Sequence, residues 1–139
     1  MLGRLDEALR LRRDVHSGCL RLDGEEDEKT LRAAYNYVVS LHDSKRYKEV
    51  KSLLRTTVPV ARRVLGEGHD LTLTMRWSYA AALHNDKGAT LDDLREAVNT
   101  LEEIERIARR VFGGAHPTTI GIEHTLRNAR AALRARETP

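Results

Sequence analysis

Asp27-Glu28-Lys29-Thr30-Leu31, His69-Asp70-Leu71-Thr72-Leu73 and His116-Pro117-Thr118-Thr119-Ile120 are three copies of one pattern. Thr30 to Thr72 is 42 residues and Thr72 to Thr119 is 47. A fixed period of this length is the mark of stacked repeats, so it decides the fold before any single element is considered. The flanking residues keep the same register. Gly24, Gly66 and Gly113 each close a helical pattern, where a left-handed residue ends a helix at low cost. Leu41-His42 matches Leu83-His84, and Glu7-Ala8, Glu49-Val50 and Glu96-Ala97 share one place. The longer second interval is absorbed by the loop Asn85-Asp86-Lys87-Gly88-Ala89, because closure entropy rises slowly with loop length. Thr90 then stands as an N-cap, with Asp93 in the reciprocal position of a capping box.

Each unit reads as two helices. In the first type Leu31, Ala34, Tyr35, Val38 and Leu41 keep helical spacing, as do Leu73, Trp77, Ala80 and Leu83. In the second type the stripes are Leu5, Ala8, Val15, Cys19, Leu22, then Val50, Leu54, Ala61, Leu65, then Leu94, Ala97, Leu101, Ile104, Ala108, Val111. The pattern predicts helices near 2–22, 28–43, 46–64, 71–84, 91–112 and 118–135, with short connections that make neighbours antiparallel. Pro59 falls inside the third, where it removes a backbone donor and clashes one turn back. A kink or break is expected near Thr56-Thr57-Val58. The last helix carries His124 and Arg127 where its counterpart has Trp77 and Ala80, and shifts its apolar residues to Ile122, Leu126, Ala129 and Leu133. A polar outer face of this kind suits a terminal cap. The chain opens on the second helix of a pair, so the expectation is a trimmed longer chain, or another molecule over that end.

Composition agrees with an all-α chain. Of 139 residues 40% are hydrophobic and only 4% aromatic, leaving Leu, Ala and Val to fill the core. Charged residues of both signs make up 32%, and the net charge is +3, less lopsided than in dedicated nucleic-acid binders. Cys19 is the single cysteine, so no internal disulfide forms and a reducing, cytoplasmic location is expected. No apolar run approaches the roughly 20 residues that cross a bilayer, and the amphipathic start lacks the apolar core of a secretory signal.

The linkers carry a resemblance. Leu65-Gly66-Glu67-Gly68-His69-Asp70-Leu71-Thr72-Leu73 resembles the linker of kinesin-light-chain-type tetratricopeptide repeats, which runs Leu-Gly, His-Pro, Thr-Leu. Val111-Phe112-Gly113-Gly114-Ala115-His116-Pro117-Thr118-Thr119 is a second copy, and Leu22-Asp23-Gly24-Glu25-Glu26-Asp27 a worn third. Lys45-Arg46-Tyr47-Lys48-Glu49-Val50 and Gly3-Arg4-Leu5-Asp6-Glu7-Ala8 resemble the Gly-Lys-Tyr-x-Glu-Ala that opens the family's second helix. The small Ala80 and Ala97 fall where the family packs its helices closest. Two-helix HEAT-like repeats share the period but lack this linker. The resemblance implies a right-handed α-solenoid over 1–139, with units near 1–26, 27–68 and 69–115 and a capping helix at 116–139. It also implies a scaffold that binds a protein or peptide in the concave face lined by the first helix of each pair. By position, Arg32, Asn36, Thr74, Ser78 and Thr125 turn toward that groove. Arg32 and Asn36 lie one turn apart, and a cation beside an amide can hold a peptide carboxylate and its backbone. The family's paired Asn has become Tyr35-Asn36, Trp77-Ser78 and His124-Thr125, so only Asn36 keeps the amide.

Residues with reactive side chains have structural readings. His42 and His84, like His69 and His116, are repeat equivalents lying a repeat apart, too far to share a metal, and no zinc-ligand spacing occurs. His69 and His116 instead fit as helix caps, with Pro117 at the favourable first-turn position. Cys19 aligns with Ala61 and Ala108 and has core periodicity. Glu25-Glu26, Asp92-Asp93 and Glu102-Glu103 read as solvated, and Gly113-Gly114 lacks the strand and Lys-Ser/Thr of a phosphate loop. Arg12-Arg13, Arg62-Arg63 and Arg109-Arg110 complement helix C-termini. With Arg127, Arg130, Arg134 and Arg136 they raise the sharper alternative of a phosphate-binding stripe, although few aromatics are present to stack bases. No catalytic constellation and no cofactor site is expected. The alternative to peptide capture is an assembly role, in which the end helices, above all the uncapped first one, mediate self-association or docking.

Overall fold

A computed structural model of the chain describes residues 2–138, without the side chain of Leu2. The three linkers are built alike, and their atoms show why the pattern repeats. Gly24, Gly66 and Gly113 have φ of 85°, 98° and 89°, a region an L side chain rarely occupies. The next helix is then capped by a side chain that accepts a backbone N–H. Lys29 N–H donates to Asp27 Oδ1 at 2.8 Å, Leu71 to His69 Nδ1 at 3.1 Å, and Thr118 to His116 Nδ1 at 3.1 Å. His69 and His116 share φ −69° and ψ 139°. The repeated threonine follows: Thr30, Thr72 and Thr119 are all buried. Thr90 and Asp93 form the expected reciprocal capping box, with both bonds at 3.0 Å.

Among the described residues all regular structure is helical: α1 Leu2–Asp23, α2 Glu28–Asp43, α3 Tyr47–Leu65, α4 Asp70–Asn85, α5 Leu91–Phe112 and α6 Pro117–Glu137. Among these described residues no helix is long and apolar enough to cross a membrane. The chain divides into two compact units, 1–66 and 67–139, so the boundary falls on the second of the three glycine linkers.

In the first unit α2 lies between α1 and α3. Leu31, Ala34, Val38 and Leu41 of α2 and Val50, Leu54, Val60 and Ala61 of α3 form its buried core. Pro59 does not interrupt α3, which runs unbroken from Tyr47 to Leu65. The local cost of roughly 3 kcal/mol is outweighed because burying side chains such as Val50, Leu54 and Val60 contributes about 1.5–3 kcal/mol each. Pro59 faces solvent, and the hydroxyls of Thr56 and Thr57 both donate to the Leu53 carbonyl, at 2.9 and 2.8 Å.

The first helix corrects its stripe. Leu5, Val15 and Leu22, expected in the core, are exposed, and Cys19 is half-buried. The buried positions are Leu9 and His16. The helix packs only on α2 within its unit, and the face it uses there differs from the one that its periodicity marks as apolar.

In the second unit α5 lies against both α4 and α6, and α4 also touches α6. Leu73, Ala80, Leu83, Ala97, Leu101, Ile104, Ala108, Ile122, Leu126 and Ala129 make its core. Val111 is exposed instead. As the spacing required, α6 turns Ile122, Leu126 and Ala129 inward and His124, Arg127 and Arg130 outward. Trp77 joins α4 to α6. Its Nε1 donates to Thr125 Oγ1 at 3.0 Å, and its ring lies so close to Gly121 that a Cβ there would meet Cη2 at 2.4 Å. Arg76 was not anticipated as a core residue. It is buried on α4, donating to Glu103 of α5 at 2.9 Å with Glu67 at 3.8 Å.

Candidate functional site

Because α1 and α3 both pack on α2, one row of α2 is left as the floor between them. The row is Thr30, Ala34, Tyr37 and Leu41, spaced four, three and four residues apart, which places it on one helix face. Two adjoining depressions open over it. The first has a volume of about 230 Å³, with His16 and Leu20 of α1 on one wall and Leu53, Thr57 and Val60 of α3 on the other. The second, about 350 Å³, is bounded by Tyr37 and Leu41 of α2 and by Glu49 and Ser52 of α3. Leu53 and Thr56 line both, so the two form one cleft along the first unit.

The cleft has a definite hydrogen-bonding polarity. The hydroxyl protons of Thr56 and Thr57 point to the Leu53 carbonyl, and that of Thr30 to the Cys19 carbonyl at 3.2 Å. Thr30 and Thr57 are buried, so it is the exposed Thr56 that offers an occupant an oxygen lone pair, since a hydroxyl has one proton to give. Glu25 lines the first depression and Glu49 the second, the latter held by Arg46 at 2.6 Å. Burial lowers the pKa of His16, which keeps this wall neutral, and its ring tilts toward Tyr37 at 6.2 Å. Apolar walls with acceptors at the rim form a recognition surface for a donor-rich, partly apolar segment.

None of the five residues expected at a groove lines this cleft. Arg32 and Asn36 do share one exposed face of α2, but their spacing sets it roughly opposite the cleft floor. Arg32 Nε donates to Glu28 at 3.0 Å, and the Asn36 backbone carbonyl accepts from Arg12 at 3.2 Å. Thr74 and Ser78 are half-buried on α4, and the Thr74 hydroxyl donates to the Leu71 carbonyl at 3.0 Å. Thr125 accepts from Trp77 and donates to the Gly121 carbonyl at 3.1 Å. Its hydroxyl is thus occupied in joining two helices. The cleft residues His16, Leu53 and Thr56 were not singled out by periodicity. The one signal was Thr56-Thr57 beside Pro59, which had the look of a fault in the helix.

Several of the arginines are engaged with carboxylates. Arg63 bonds Glu26 at 2.9 Å, Arg130 bonds Glu102 at 2.8 Å, and Arg109 reaches Glu105 and Glu123. The repeat-equivalent histidines serve locally: His69 and His116 cap helices, and His42 packs edge-on against Tyr47 at 5.5 Å. Among the described residues no three His, Cys, Asp or Glu side chains gather as a metal site would require. Set against known proteins, the chain matches no family model and no curated protein.

Proposed function

We propose that this chain is a protein-binding module of the tetratricopeptide type, a solenoid of helix pairs that captures a peptide or helical segment without chemical change. The linker built three times on one plan, with a left-handed glycine, an acceptor cap and a buried threonine, supports the repeat reading. The observation that carries the function is the apolar, acceptor-rimmed cleft over α2. Its chemistry favours an amphipathic segment whose apolar residues enter beside Leu53 while lysine, arginine or amide donors meet Glu25, Glu49 and the Thr56 oxygen. A second reading follows the family resemblance and uses the opposite face of α2, where Arg32 and Asn36 are exposed together.

One experiment separates them. A displayed library of basic amphipathic peptides is selected on the intact chain, and the best binder is measured against two variants. Thr56 is exposed and lines both depressions, so Thr56→Arg adds bulk and like charge to the cleft without touching the core. It is expected to weaken binding by about tenfold or more, roughly 1.4 kcal/mol, while Arg32→Glu with Asn36→Ala leaves binding within about twofold. The reverse result establishes the second reading. Binding insensitive to both sets of changes refutes both.

A further inference from the structure

A different surface of the first unit carries its own inference. On α1, Ala8, Leu11, Val15, Gly18 and Leu22 follow one another at three- and four-residue steps, forming a single stripe. Leu11, Val15 and Leu22 are 65%, 50% and 79% exposed, and a Cβ on Gly18 would meet nothing within 4 Å. By the repeat register, Ala8, Val15 and Gly18 correspond to Val50, Thr57 and Val60 of α3 and to Ala97, Ile104 and Ile107 of α5. All six of those counterparts are buried. From Ala8 to Gly18 the stripe is thus the face that the other helices of this type cover, and in α1 Leu11 and Val15 stand open on it; Leu22 corresponds to Val64 and Val111, which are exposed as well.

We propose that a second copy of this chain covers it, α1 packing antiparallel against the partner's α1. The steps average 3.5 residues, the repeat of a two-helix seam. With Leu11 set against the partner's Val15, Ala8 falls opposite the partner's Gly18, and these small residues let the two helices approach closely. In the same register Glu7 lies beside the partner's Arg21, and Arg21 beside the partner's Glu7, two pairs of opposite charge on the outer flank of the seam. Asp14 meets the partner's Asp14 at the axis, with Arg13 of its own chain 3.7 Å away. A parallel pair would instead set Glu7 against the partner's Arg12. That side chain is already turned inward, donating to the Asn36 carbonyl at 3.2 Å, so charge favours the antiparallel arrangement. A seam of one helix per copy is small, at the transient end of interface sizes.

The test is sedimentation equilibrium of the intact chain from about 10 μM to about 1 mM, the range of weak association, at low salt. The mass of the wild type is expected to rise toward that of a dimer. Leu11→Glu, at a position already open to solvent, keeps its helical circular dichroism and stays monomeric throughout. Glu7→Arg weakens association by about tenfold, and adding Arg21→Glu restores most of it. A wild type that stays monomeric overturns the proposal. So does a Leu11→Glu variant that still associates, or a double charge swap as weak as the single change. Peptide capture by Thr56→Arg and the parent chain is scored separately, so failure of one surface leaves the other judged on its own result.

Discussion

Gly18→Ala and Gly121→Ala are the same substitution in two helix interiors, and the structure gives them opposite signs. In an open helical site alanine stabilises by roughly 0.5–1 kcal/mol, because glycine loses more backbone freedom on folding. Gly18 is such a site, with no atom within 4 Å of an added Cβ. At Gly121 the added Cβ would lie 2.4 Å from Cη2 and 2.7 Å from Cζ2 of Trp77. The indole cannot swing aside freely, since its Nε1 is bonded to Thr125 at 3.0 Å. Overpacking of this kind costs typically 1–3 kcal/mol. Set against the propensity gain, Gly121→Ala should be destabilising by about 0–2.5 kcal/mol, and the two variants should differ by about 1–3 kcal/mol. Urea unfolding followed by circular dichroism, at dilute protein to keep α1 unpaired, measures both. Thermal melts give a second reading, since 1 kcal/mol shifts the midpoint of a unit this size by about 4–8 °C. In a Trp77→Leu background the penalty at 121 should vanish and the alanine should stabilise. If Gly121→Ala stabilises the native chain as much as Gly18→Ala does, the α4–α6 contact described above is wrong.

Two further outcomes follow from buried polar groups. Arg76 is 6% exposed in its side chain, whereas its partners Glu103 and Glu67 are each 45% exposed. Glu103→Ala strands the buried cation and should cost about 1–3 kcal/mol, moderated by water reaching the site, while Arg76→Met removes charge and burial cost together and should be near neutral. Urea midpoints decide it, and an Arg76→Met variant less stable than Glu103→Ala would contradict the argument. The second outcome concerns pH. Burial lowers the pKa of both His16 and His84 from 6.5, so the folded chain binds protons less readily than the unfolded one. The resulting stability is fully present above the unfolded value of 6.5 and is lost as pH falls through the lower folded values. Unfolding midpoints between pH 7.5 and 5 should therefore fall less steeply in a His16→Gln, His84→Gln variant than in the parent.

Much of the fold was legible because its signals are local. A cap, a left-handed glycine and a 3.6-residue period act over four or five neighbours. Gly24, Gly66 and Gly113, the caps at His69 and His116, the Thr90–Asp93 box and the inward row of α6 therefore stand where residue types alone put them. The candidate site was far less legible. Side chains on α1, α2 and α3 line the cleft, and no window of sequence contains all three. Arg32 and Asn36 share an exposed face as one-turn spacing demands, but spacing cannot say which face of α2 borders an opening.

The sequence by itself determined where each helix starts and stops and that one unit recurs, because those choices are settled by bonds within a turn or two of the chain. Tertiary structure alone decided which face each helix buries. It turned Leu9 and His16 inward on α1 in place of Leu5, Val15 and Leu22. It sank Arg76 beside Glu103, and it carried α3 through Pro59 unbroken. Burial depends on which partner helix arrives and at what angle. The free energy of packing several apolar side chains exceeds the local preference of any one residue, so these outcomes could be read only from the assembled unit.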